Sequence, residues 1–268
     1  MAVGDTYTHG HHESVLRSHR WRTAENSAGY LLPFLAPGMS LLDVGCGPGT
    51  ITLDLAARVA HGCTVGVDRE ASVVAEAQRL LDSRPISGVE FRTADAYALG
   101  FDDESFDVVH AHQLLQHLTD PVAALVEMRR VLRPGGVLAV RDSDYGGFVW
   151  APPDPLLDRW MQLYHDVCRR NGADADAGRS LLGWAQTAGF NEIQPGSSTW
   201  TFAEPSSRRW WGELWADRVV SSSLSEQAVE YGLSSPDELE AIAAAWRQWL
   251  EQDDGFFVVV HAELIARR

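Results

Sequence analysis

Residues able to do chemistry recur at the ends of apolar runs in this chain. The run Leu41-Leu42-Asp43-Val44 passes into Gly45-Cys46-Gly47-Pro48-Gly49-Thr50. Glycine has no Cβ, so such a turn bends sharply and lets a ligand touch the backbone. A helix starting at Thr50 points free N–H groups and the positive end of its dipole at that ligand. A second run, 64–67, ends in Asp68, and a third, 89–92, is followed by Asp95 and Ala96. Carboxylates so placed accept strong hydrogen bonds from ligand donors. A fourth run closes on His110-Ala111-His112-Gln113, and histidine suits proton transfer near neutral pH. Arg141-Asp142-Ser143-Asp144-Tyr145 follows a fifth run. Its two acids could bind a cationic group, serve as a base, or be solvated in a turn.

These ends need an alternation of strands and helices to hold them. The pattern predicts strands at 40–44, 64–68, 89–92, 106–111 and 137–141, the last after the turn Arg133-Pro134-Gly135-Gly136. Helices are predicted at 50–59, 71–81 and 121–131. Short β-branched runs separated by helices imply a parallel sheet covered on both faces, with ligands at the carboxyl ends of its strands. Further on, 155–171 and 181–188 read as helices, 193–202 as a sixth strand and 256–262 as a last, fully buried one. Upstream, a helix is expected from about Thr23, with Ala24, Ala28, Leu31 and Leu32 on one face, ended by Pro33 and Pro37.

The dinucleotide fingerprint G-x-G-x-x-G would need a third glycine at position 50 and fails at Thr50. The spacing over 43–49 is D-x-G-x-G-x-G instead. It resembles the first motif of the class I S-adenosylmethionine (SAM) methyltransferases, and Asp68 and Asp95 follow where that family carries acids. The resemblance spans about 40–202 and the last strand, with a likeness to the small-molecule enzymes of ubiquinone and menaquinone biosynthesis. It implies an α/β, Rossmann-like, seven-stranded, mostly parallel sheet with helices on both faces. The last strand runs antiparallel between strands 5 and 6. On this plan one methyltransferase domain comprises an N-terminal helical lid (1–39), a cofactor core (40–202 and 254–268) and a helical cap inserted at 203–253.

The same resemblance implies S-adenosyl-L-methionine as cofactor and S-adenosyl-L-homocysteine as product. Gly45, Cys46, Gly47 and Gly49 would approach its methionine and ribose, and Asp43 would fix the loop and face the ammonium. Asp68 would take the ribose hydroxyls, with Arg69 flanking the adenine. Asp95 would take the adenine amino group and the Ala96 N–H a ring nitrogen. His110 is expected at the cofactor and Arg22 on its carboxylate. His112 is the candidate catalytic residue between cofactor and acceptor. Asp142, Asp144, Tyr7 and Trp211 are candidates for the acceptor side. His117 resembles a histidine common in the quinone enzymes and is expected to be structural.

The composition narrows the alternatives. Net charge is −15, and all 22 basic residues are arginine. Without lysine there is no Schiff base and no Walker A phosphate loop. The acidic balance argues against nucleic acid and favours a small, neutral or cationic acceptor. No run is long enough for a membrane span, and the polar start predicts no signal peptide. The three cysteines lack metal-ligand spacing, so neither disulfides nor a metal is expected, and the cytoplasm is the default compartment. The His-rich segment 1–22 reads as a solvated arm or a lid, with a metal site from His9, His11 and His12 the remote alternative. Five of the ten tryptophans fall in 203–253, as the core of a cap or as walls for an aromatic acceptor. A monomer or homodimer is expected. The rival reading is a protein of the same fold that binds SAM without transferring methyl.

Overall fold

The computed structural model describes residues 5–10 and 12–268. The β-branched runs form β1 (Leu41–Val44), β2 (Thr64–Asp68), β3 (Val89–Thr93), β4 (Phe106–His112) and β5 (Leu132–Ser143). A short β6 (Val149–Ala151) precedes β7 (Glu192–Phe202) and β8 (Phe256–Arg267). The helices are α1 (Glu13–Arg20), α2 (Ala24–Ser27), α3 (Thr50–Arg58), α4 (Ala71–Asp82), α5 (Pro121–Val131), α6 (Pro155–Arg170), α7 (Ala177–Thr187), α8 (Pro205–Ser221), α9 (Ser223–Glu230) and α10 (Pro236–Trp249).

The sheet runs β3-β2-β1-β4-β5-β8, with β1 to β5 parallel. β8 lies antiparallel between β5 and β7, as expected, and also pairs with β6. Pleating sends alternate residues to opposite faces. Leu42, Val44, Val109 and Val140 pack against Leu125 and Met128 of α5 and Leu181 of α7. Leu41, Val108 and Ala139 pack against Ile51 and Leu55 of α3 and Ala24 near the amino terminus. The outer strand β7 carries Pro195, which a strand interior would not tolerate.

A third core joins α6, α8, α9 and α10 around Trp160, Trp211, Trp215, Trp246 and Phe257. α6 therefore packs with the helices of 203–253, which the sequence pattern kept separate.

Other differences have local causes. β5 starts at Leu132 rather than 137, because Leu132 pairs with Phe106 before a register shift, and Gly135 (φ 76) absorbs the irregularity. The N-terminal helix is only α2, capped by Thr23 and Asn26, followed by a 3-10 turn through Pro33. α1, not expected from the sequence, buries Val15 and Ser18, so the segment is no solvated arm. α7 begins at Ala177, four residues early, because Gly178 lets it approach β5: a Cβ there would lie 3.0 Å from the Asp144 Cβ.

That close packing redirects the two acids after β5. Asp142 is fully buried, and its Oδ1 accepts from the Gln116 N–H at 3.1 Å. Oδ2 has no partner among the described residues. Asp144 accepts from the Arg179 guanidinium at 2.5 and 2.8 Å. Both are structural, and neither faces an acceptor as expected.

Burial pushes the Asp142 carboxyl up to about 7. A raised folded-state value means its contribution to stability is full below the ordinary range near 4 and is lost as pH rises through 7. Asp142→Asn removes that loss, so the melting temperature of the variant relative to wild type should be higher at pH 8 than at pH 5. Gly49 sits at φ 83, and a Cβ there would lie 2.7 Å from the Phe91 ring. Gly49→Ala should lower unfolding free energy by about 1–3 kcal/mol in urea titrations.

Candidate active site

The turn after β1 is held from beneath. Gly45 and Cys46 donate N–H to Val67 O at 2.8 and 2.9 Å, which fixes the turn to the tip of β2. Gly47 (φ 55) donates N–H to Asp68 Oδ2 at 3.1 Å, and the other oxygen accepts from the Glu70 N–H. Asp43 is 2% exposed. It accepts from Thr52 Oγ1 of α3 and, at 2.7 Å, from His110 Nδ1 of β4. Asp43 and His110 are register partners on neighbouring strands, which sets that contact. His110 thus positions Asp43 from behind and does not reach the cavity above it.

That cavity, about 360 Å³, opens over the carboxyl ends of the strands. Asp43, Gly45, Cys46, Gly47, Asp68, Arg69, Asp95 and Ala96 line one end, brought together from 43–96 of the sequence. Arg22, Tyr7, His112 and Trp211 line it as well. Gly49, Asp142 and Asp144 do not: Gly49 packs on Phe91 and Ala77 at the start of α3.

Toward β5 the wall is aromatic and polar. Gln113, at φ 51, turns back so that its amide bridges three elements. Its Nε2 donates to Ser143 Oγ at 2.7 Å and lies 2.9 Å from His261 Nε2, while Oε1 accepts from Arg22 Nη2. His112 is buried, and neither ring nitrogen has a hydrogen-bond partner among the described residues. Burial, reinforced by the charges of Arg22 and Arg141, holds its pKa well below the usual histidine range. The ring is therefore neutral at physiological pH.

Trp200, Trp215, Tyr145, Phe148 and Arg218 complete this end. Of these, sequence reading offered only Trp215, among the tryptophans of 203–253; the others come from β7, α8 and the turn after β5, far apart in the chain.

Described residues of the N-terminal segment, Tyr7, His9 and His19 among them, line the cavity too. Tyr7 packs edge-on to His117 at 4.7 Å, and Thr50 Oγ1 donates to His19 O at 3.2 Å. His9 Nε2 accepts from the Tyr164 hydroxyl at 3.0 Å, and His12 Nδ1 caps α1; His11 lies outside the described residues. No group of three or more metal-ligating side chains occurs among the described residues. Nor is any helix among them long and apolar enough to cross a membrane.

Comparison with known proteins agrees with this geometry. The family model of a methyltransferase domain matches residues 35–190. An uncharacterized methyltransferase of Schizosaccharomyces pombe is 33% identical over 270 residues, 98% of this chain and 96% of its own. The 2-methyl-6-phytyl-1,4-hydroquinone methyltransferase of Synechocystis sp. is 31% identical over 222 residues, 79% of this chain and 64% of its own. Haemonchus contortus phosphoethanolamine N-methyltransferase 2, solved with S-adenosylhomocysteine, superposes with a TM-score of 0.58 at 18% identity. The superposition covers 91% of this chain and 53% of that one, a likeness of fold. By the domain match and the full-length relative, the chain belongs to the methyltransferase family as an S-adenosylmethionine-dependent enzyme.

Proposed function

We propose that the acid-lined end of the cavity seats SAM and that its aromatic end takes a small, largely apolar or aromatic acceptor, methylated at O, N or C. One observation carries the reading: Asp43, Asp68 and Asp95, from three successive strand ends, line a single cavity with the glycine turn. The donor set fits the group. Carboxylates suit its ammonium, ribose hydroxyls and adenine amino group, and the turn offers backbone where a side chain would intrude. Asp68 would hold the ribose, Asp95 and Ala96 the adenine, and Asp43 the ammonium, with Arg22 on the carboxylate. The hydroquinone named for the Synechocystis relative supports an aromatic acceptor.

SAM, when bound, supplies a methyl group already activated on a sulfonium. The chain's part is alignment and exclusion of water. Trp200, Trp211 and Trp215 give the acceptor a flat apolar seat. Residues 1–39 act as the lid and 203–253 as the cap. α1 spans the two sides of the cleft: Arg20 pairs with Glu76 of α4 at 2.8 Å and Arg17 with Asp217 of α8 at 3.3 Å. For an acceptor that starts as a phenol or hydroxyl, neutral His112 has a ring nitrogen free to take the proton.

Calorimetry with S-adenosylhomocysteine tests the cofactor assignment. Asp68→Ala should weaken binding by about tenfold or more, since charge-assisted hydrogen bonds are lost; equal affinity in both proteins would refute the role of Asp68. For a hydroxyl acceptor, His112→Asn should lower kcat by about 10²-fold or more while leaving that affinity unchanged. Because its pKa is held low, protonation of His112 should cause no loss of wild-type rate between pH 8 and pH 6.

A further inference from the structure

The charges lining the cavity are segregated. Its acids are Asp43, Asp68, Glu70 and Asp95, at the ends of β1 to β3 and the turns after them, and Asp5 of the N-terminal segment, which is bonded to Tyr97 and Thr119. The wall built by β5, β7 and α8 carries no carboxylate but does carry the guanidinium of Arg218.

Arg218 is 4% exposed. Its face rests on Trp215, 4.7 Å from the ring centroid. It donates only through Nη2, to Ser14 O at 3.1 Å and Ser18 Oγ at 3.0 Å, both in α1. Nε is buried without an acceptor, and no carboxylate comes within ion-pair distance among the described residues. The titratable groups that act on it most strongly are Tyr145, Tyr7, Tyr164 and the cation of Arg17. Burial keeps those phenols protonated, that of Tyr7 pushed up to about 12. They lend no counter-charge.

A guanidinium buried without an anion is costly, and arginine does not relieve the cost by losing its proton. Two carbonyl-type or hydroxyl acceptors on one nitrogen do not complete its five donors. Nη2 is taken by α1, so Nη1 is the donor left for an anion in the cavity, and Trp215 fixes the plane in which it is offered.

We propose that Arg218 recognises a carboxylate on the methyl acceptor, so that the substrate is an aromatic or alkyl organic acid. This rests on the methyltransferase reading above and refines it. The acid group sits against α8, the apolar body lies along Trp200 and Trp211, and the reacting atom points toward His112 and the cofactor end. The same guanidinium links acceptor to lid, because its Nη2 holds α1 while Nη1 would hold the carboxylate.

The test uses the full-length protein saturated with S-adenosylhomocysteine. Calorimetry compares phenylacetate with phenylacetamide and indole-3-acetate with indole-3-acetamide, pairs that differ in charge and little in shape. Wild type should favour at least one acid over its amide by about tenfold or more. Arg218→Gln should bring that ratio to about one, whereas Ser18→Ala, which removes only a lid contact of Arg218, should keep it. Should Arg218→Gln fail to bind S-adenosylhomocysteine, Arg218→Lys replaces it, and its ratio should fall by about threefold or more because a point charge replaces the planar guanidinium. Amides that bind as well as acids to wild type, no acid binding up to about 10 mM, a level far weaker than a working substrate needs, or an undiminished ratio in the variants would overturn the proposal. Failure of wild type to bind S-adenosylhomocysteine would instead bring down the cofactor assignment.

Discussion

A carboxylate at the tip of β1, almost without solvent, has to be hydrogen-bonded. Asp43 meets that demand with Thr52 from α3 and His110 from β4. The two contacts tie three elements to one point directly under the glycine turn. Because parallel strands bring their carboxyl ends to one side, the same constraint places Asp68 and Asp95 around the same cavity. The sheet therefore does more than carry the site. Its register, Asp43 opposite His110, sets where the first acid points.

The opposite wall obeys different physics. It is assembled from aromatic rings that must be buried somewhere, and their packing decides which of them reach the cavity. Trp246 and Trp160 meet edge to face at 5.0 Å and stay inside the helical core, while Trp211 and Trp215 from the same cluster border the cavity. The N-terminal segment joins this wall from outside. Trp21 lies 5.1 Å from Trp200 and 5.2 Å from Trp210, and the Trp200 indole N–H donates to Asn26 O at 2.7 Å. The N-terminal segment, β7 and α8 share one aromatic seam, so the packing of Trp21 and the shape of this wall are the same problem.

What could be read from the sequence follows from this division. The strand-turn-helix at 41–58, the acids at strand ends and the buried run of β8 depend on local pattern, visible in a string of residues; the antiparallel direction of β8 followed from the family resemblance alone. His110 and His112, two apart on β4, both read as facing the site, one at the cofactor and one as the catalytic candidate, but one faces Asp43 and the other the cavity. Strand pairing, not residue type, separates them. Asp142 and Asp144 looked like substrate acids because nothing in the chain shows that Gly178 brings α7 down on them. Arg218 and Gln113 gave no signal, since their roles come from contacts about 200 and 148 residues away in sequence.

Net charge is a weak guide to the acceptor for a related reason. An overall −15 invites a neutral or cationic acceptor, yet most of that charge is solvated at the surface, where water and salt screen it within about 10 Å. Inside the cavity a buried guanidinium without an anion outweighs a distant excess of acids, because its interaction with a ligand is short and poorly screened. On the proposed seating, the end lined by carboxylates would draw the cationic parts of SAM. An acceptor bearing the same sign of charge would meet repulsion from the sulfonium and no counter-ion on its own wall. An organic anion meets the reverse at both ends. The polarity of the cavity, acids under one ligand and a guanidinium beside the other, then aligns donor and acceptor before any proton moves.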